Sequence, residues 1–180
     1  KYDDAITILG ECLEDRSANK ALIYHWRGLS YYHKARTRGD SPALQLYDSA
    51  IQDFTKAIEI SSEDKVAYSH RSDIYEKKGQ YDFAIHDYTK LIELDPKDAY
   101  TYYRRGLNYE RKRQFELALQ DYSKAIELNP KDAYLYESRG EVYFKNRQHD
   151  LAEQDFTKAV LLDPDNVRAS SFRTRGDIIW

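Results

Sequence analysis

The chain has 180 residues, 41% hydrophobic and 33% charged, with a formal net charge of −3. Only 4 Pro and 7 Gly argue against low complexity, disorder and an all-β build, and the acidic balance excludes a global basic field for nucleic acid. No apolar run is long enough to cross a bilayer.

In chain order, residues 1–19 predict one helix, marked by Tyr2 and Ala5, that reads as the second half of a hairpin lacking its first half. Residues 20–64 predict a helical hairpin with Tyr24, Arg27 and Gly28 in its first helix, then Ala50 and Asp53-Phe54-Thr55-Lys56 in its second. Residues 65–98, 99–132 and 133–166 predict three more. Their first helices carry Tyr68…Arg71-Ser72, Tyr102…Arg105-Gly106 and Tyr136…Arg139-Gly140, and their second helices carry Asp87-Tyr88-Thr89-Lys90, Asp121-Tyr122-Ser123-Lys124 and Asp155-Phe156-Thr157-Lys158. Asp64, Asp98, Asp132 and Asn166 precede first helices as N-caps, and Pro96, Pro130 and Pro164 stop second helices. Residues 167–180, with Phe172…Arg175-Gly176, predict a truncated repeat or capping helix.

These copies recur every 34 residues, save that Gly28 and Ser72 are 44 apart. The ten extra residues fall near 36–45, and a basic loop at 35–41 followed by a helix starting near Pro42 is expected there. A hairpin with one apolar stripe cannot bury it alone, so the copies must stack. Small residues such as Gly106 are expected to face Ala118 and Ala125 at the helix interface.

An aromatic, a small residue four on, a Tyr three later, then Ala, a second aromatic and Pro resemble the tetratricopeptide repeat, whose period is also 34. The resemblance covers nearly the whole chain. It implies an all-α fold, a right-handed α-solenoid of helix-turn-helix repeats, acting as a non-catalytic scaffold that binds a protein or peptide in a concave groove. Mapped on this sequence, the groove comprises Leu22, His25, Trp26, Leu29 and His33, then Val66, Ser69, His70 and Asp73. It continues with Tyr100, Tyr103, Arg104, Leu107 and Arg111, then Tyr134, Glu137, Ser138, Glu141, Phe144 and Lys145. The carboxylate clamp of heat-shock co-chaperones is matched only at Arg104; His25, Leu29 and His70 stand at its other positions. An acidic-aromatic ligand is the expectation from Arg104, Arg111 and the nearby tyrosines, with self-assembly through end helices as the alternative.

Arginine precedes the small residue in every copy (Arg27, Arg71, Arg105, Arg139), and Asp53, Asp87, Asp121 and Asp155 precede the second-helix aromatic. A cation and an anion locked to one register predict buried structural ion pairs, within a repeat in preference to between neighbours. His25, His33 and His70 lack a fourth ligand for a metal, no Gly-rich phosphate loop or nucleophile motif is present, and no cofactor is expected. Cys12 reads as a small core residue, and a single cysteine fits a reducing compartment such as the cytoplasm. Arg104-Arg105 and Arg111-Lys112-Arg113 are basic, but the acidic remainder argues against nucleic acid. The chain opens on Lys1, and a longer parent protein is expected.

Overall fold

The computed structural model describes residues 1–15, 19–37 and 41–164, and the chain divides into two units, Lys1–Leu94 and Asp95–Trp180. Among the described residues the fold is all-α, nine helices without a strand, as befits an α-solenoid. The first unit holds α1 (Tyr2–Cys12), α2 (Lys20–Arg36), α3 (Ser41–Ile60), α4 (Lys65–Lys77) and α5 (Tyr81–Leu94). The second holds α6 (Ala99–Arg111), α7 (Phe115–Leu128), α8 (Ala133–Lys145) and α9 (His149–Leu162). Within each unit every helix packs on the next in sequence, and in the first unit α2 also touches α4.

Helix starts follow the capping residues. Asn19, Asp64, Asp98 and Asp132 accept from the backbone N–H of Leu22, Ala67, Tyr100 and Tyr134 at 3.3, 2.9, 3.1 and 3.0 Å. Helix ends are equally specified. After α4, α6 and α8 the backbone N–H groups of Gln80, Gln114 and Gln148 reach back to the carbonyls of Tyr75, Tyr109 and Tyr143, at 2.8 to 2.9 Å, closing Schellman turns. The residue such a turn places in the left-handed region is Gly79 (φ 68), Arg113 (φ 59) and Arg147 (φ 60). Asn166 and Arg175 lie outside the described residues.

The second helix of the long hairpin begins at Ser41, beside the Pro42 start expected from sequence, and residues 38–40 of the expected basic loop lie outside the described residues. Most of the ten extra residues lengthen the two helices: α2 runs eight residues past Gly28 where α4 runs five past Ser72, and α3 starts thirteen before Phe54 where α5 starts seven before Tyr88. Extra apolar residues at helical spacing explain this, since Tyr32, Ala35 and Ala43 are all buried along the longer hairpin. Cys12, assigned to the core from its type, is instead exposed, because α1 buries no residue at all.

Each hairpin core is an alanine and an aromatic of the second helix set against the small residue of the first. Ala50, Ala84, Ala118 and Ala152 are fully buried, and so are Phe54, Tyr122 and Phe156. A Cβ at Gly106 would stand 2.8 Å from the Tyr122 ring, and one at Gly140 2.8 Å from the Phe156 ring. The close approach is thus to the second-helix aromatic, not to Ala118 and Ala125. Gly106→Ala is expected to lower the unfolding free energy by about 1–3 kcal/mol in urea melts, because the ring must move within a dense core.

Candidate functional site

The repeated arginine sits in one arrangement in both units. Arg71 Nε and Nη2 donate to the two carboxylate oxygens of Asp87 at 2.8 and 2.7 Å, and Arg27 does the same to Asp53 at 2.7 Å twice. In the second unit Arg105 holds Asp121 and Arg139 holds Asp155, each through two bonds of 2.8 Å. Every pair joins the two helices of one hairpin. The remaining nitrogen reaches the preceding hairpin: Arg71 Nη1 donates to Thr55 Oγ1 at 2.9 Å, and Arg139 Nη1 to Ser123 Oγ at 3.0 Å. Thr55 Oγ1 in turn donates a hydrogen bond to the Ile51 carbonyl at 2.7 Å. The guanidinium also lies over the tyrosines one turn before and after it, Tyr68 and Tyr75 for Arg71, Tyr102 and Tyr109 for Arg105, Tyr136 and Tyr143 for Arg139, at 5.6 to 5.9 Å. Six of the tyrosines are thereby used as walls for a buried or partly buried cation.

This geometry makes the arginines and aspartates architecture. All four aspartates are buried. Removing the carboxylate leaves a partly buried guanidinium without its counter-charge, so Asp121→Ala is expected to cost about 3–5 kcal/mol in chemical denaturation.

The groove residues divide into exposed and packed sets. Trp26 is 53% exposed with His25 edge-on at 5.5 Å. His25 itself donates Nδ1–H to Asp64 at 2.6 Å, so the carboxylate that caps α4 also ties α2 to it. Tyr100, 57% exposed, accepts from Arg104 Nη1 at 2.5 Å and lies under its guanidinium. Tyr134 is 41% exposed. Leu29 is half-buried against the core of the first unit, and Phe144 is half-buried beside His149.

Two of the residues assigned to the groove pack on neighbouring rings. Tyr103 is buried, stacked on Tyr122 at 5.9 Å and met edge-on by Tyr134 at 5.4 Å. His70 lies against Tyr32 and Phe54, at 4.8 and 5.9 Å between ring centres, and its Nδ1 is buried without a hydrogen-bond partner among the described residues. Glu137 and Ser138 are buried as well. Both rings stand where a first helix meets its neighbours, and there a large flat side chain lowers its energy by lying down on the adjoining aromatics.

Burial holds the His70 imidazole below its ordinary pKa of 6.5, with the nearby Asp73 opposing and His33, His25 and Arg36 assisting. His33 stands 6.3 Å from it, but among the described residues no three His, Cys, Asp or Glu side chains gather as a metal site. Tyr122 is pushed far above its ordinary value, chiefly by burial and then by the Glu110 charge, so its hydroxyl remains a donor to Glu110 at 2.8 Å.

Sequence reasoning missed a second feature of the second unit, a cleft of about 580 Å³ lined by Leu107, Glu110, Arg111, Arg113, Phe115 and Lys145. Leu107, Arg111 and Lys145 are among the groove residues expected from sequence. The turn residue Arg113 is not, because its position depends on the left-handed backbone that closes α6. No described helix is long and apolar enough to cross a membrane.

Because the unfolded chain takes up a proton on His70 before the folded one does, the stability carried by the neutral ring is full above about pH 6.5. It is lost as pH falls through the lower folded value. Wild type is therefore expected to lose more stability than His70→Phe between pH 7.5 and 5.5 in urea melts, by at most about 1.4 kcal/mol per pH unit.

A family model described as Tetratricopeptide repeat matches residues 99–132 and 133–166, and one described as TPR repeat matches residues 72–112. The crystal structure of YrrB, a TPR protein with an unusual peptide-binding site, is 19% identical with a TM-score of 0.80, covering 97% of this chain and 84% of that one. MamA from Desulfovibrio magneticus RS-1 is 20% identical with a TM-score of 0.65, covering 93% of this chain and 97% of its own. The first TPR of Spaghetti, bound to the HSP90 peptide SRMEEVD, is 27% identical with a TM-score of 0.60, covering 66% of this chain and 93% of that one. No curated protein matches the chain.

Proposed function

This chain belongs to the tetratricopeptide-repeat family, and on that footing we propose that it is a non-catalytic scaffold holding a peptide or protein segment along its first helices. One observation carries the reading. Leu22, Val66, Tyr100 and Tyr134 occupy a single register position, and every one is a large apolar or aromatic residue left 41% to 57% exposed. Water-exposed apolar surface at a repeated position has a cost that a bound segment removes. Polar and cationic groups accompany it, His25 beside Trp26 in the first unit and Arg104 on Tyr100 in the second, the mixture that interface centres favour.

The repeated carboxylates support a structural use over a catalytic one, since Asp53, Asp87, Asp121 and Asp155 are each held by two hydrogen bonds from an arginine. Of the similar structures, YrrB is described by its peptide-binding site and Spaghetti by its peptide complex, and peptide capture by this chain is the analogous reading.

A self-assembling module is the second reading, favoured by exposed apolar residues on the first and last described helices. Leu161 of α9 is 74% exposed and Ile8 of α1 58% exposed, surface that a second copy would cover. Light scattering across a concentration series separates the two: the groove reading expects a constant monomer mass, self-assembly a rising one.

The groove reading is tested by pulldown from native lysate with wild type and Tyr100→Ala/Arg104→Ala. Both residues are on the surface, so the double variant is expected to keep its helical circular dichroism while capture falls about tenfold or more. Undiminished capture would defeat it. Tyr103 is unsuitable for this purpose, since its buried ring would report on folding.

A further inference from the structure

We propose that the cleft between the ends of α6 and α8 anchors an acidic residue of a bound protein segment beside an apolar one, with Arg113 and Lys145 as the recognising cations. The inference rests on the groove reading and names the chemistry of its ligand.

Leu107 and Phe115, partly buried against the core of the second unit, supply an apolar floor. Arg111, Arg113 and Lys145 line it together with Glu110; even with Glu141, 3.9 Å from Lys145, cations outnumber carboxylates three to two. Glu110 is already committed on both oxygens, accepting from the Tyr122 hydroxyl at 2.8 Å and from Lys145 Nζ at 2.5 Å. That bond positions the ammonium at the cleft, where it is 48% exposed and retains further N–H donors for an incoming carboxylate. The excess positive charge over an apolar floor is complementary to an Asp or Glu next to a Leu, Ile or Phe. Polyphosphate fits less well, because Glu110 and the net charge of −3 oppose a ligand with a charge at every unit.

Backbone conformation offers a clean way to remove the cation. Arg113 holds φ 59, a region that glycine enters without strain; the matching turn of the first unit uses Gly79, and the one after α8 uses Arg147 at φ 60. The mismatch between arginine and this backbone means that glycine at 113 deletes the side chain while relieving the turn.

That mismatch makes the test selective. An array of immobilised random octapeptides is probed with the 180-residue chain and with Arg113→Gly, with oligothymidine as competitor. Wild type is expected to enrich octapeptides carrying Asp or Glu beside Leu, Ile or Phe. Arg113→Gly is expected to bind them about tenfold more weakly while its melting temperature holds or rises. A purely structural role for Arg113 would not pair weaker binding with equal or greater stability. Enrichment without acidic bias, equal binding by Arg113→Gly, or displacement by oligothymidine would overturn the cleft assignment. If the enriched peptides are then lost in Tyr100→Ala/Arg104→Ala, the groove reading survives it. Failure of wild type to bind any octapeptide would overturn both.

Discussion

A guanidinium in this chain meets four neighbours of three kinds at once. Its carboxylate partner lies on the second helix of its own hairpin, its hydroxyl partner on the hairpin before, and a tyrosine lies one turn to either side, as around Arg71 and Arg139. A buried ion pair of this type adds little net stability over well-packed apolar groups, because desolvation offsets most of the attraction. Its contribution is geometric. Arginine has a rigid fork of donors, and only one placement of two hairpins satisfies the carboxylate and the hydroxyl together. Alanine and aromatic packing would tolerate some sliding of one hairpin on the next; the hydroxyl bond of Arg71 or Arg139 does not.

Fixed register has a consequence at the surface. Residues at one repeat position come to share one face only if successive hairpins keep the same offset. Leu22 and Val66 in the first unit, and Tyr100 and Tyr134 in the second, are such residues, and all are exposed. The clasp between hairpins and the apolar column on the first helices are thus two sides of one constraint. In the second unit Glu110 accepts from both Tyr122 and Lys145, joining α6, α7 and α8.

Much of this was legible in the residues. The 34-residue recurrence, the capping Asp64, Asp98 and Asp132 and the prolines after α5, α7 and α9 are local signals, each with a physical cause confined to a few residues. The recurring Arg and Asp positions were visible as well. The third arm of the clasp was written in Thr55 and Ser123, within the motif that follows each aspartate, but a hydroxyl in a helix carries no mark of its partner. Depth was the harder quantity. Helical period puts Tyr100 and Tyr103 on neighbouring faces, yet Tyr103 lies down on Tyr122 and Tyr134 while Tyr100 stands in solvent. That outcome depends on the adjoining helix, as it does for His70 on Phe54. In the long hairpin Ser41-Pro42 announced the early start of α3 as a local signal, whereas the extension of α2 to Arg36 depends on burial of Ala35 that no local motif marks.

The clasp between hairpins is tested most directly by a double-mutant cycle on Ser123→Ala and Arg139→Lys, read by urea unfolding of the four proteins. Lysine keeps the charge but loses the second nitrogen fork. If the guanidinium bridges the two hairpins, the cycle gives a coupling energy of about 1 kcal/mol. Effects that add to within about 0.3 kcal/mol would contradict it, and would leave register to apolar packing alone.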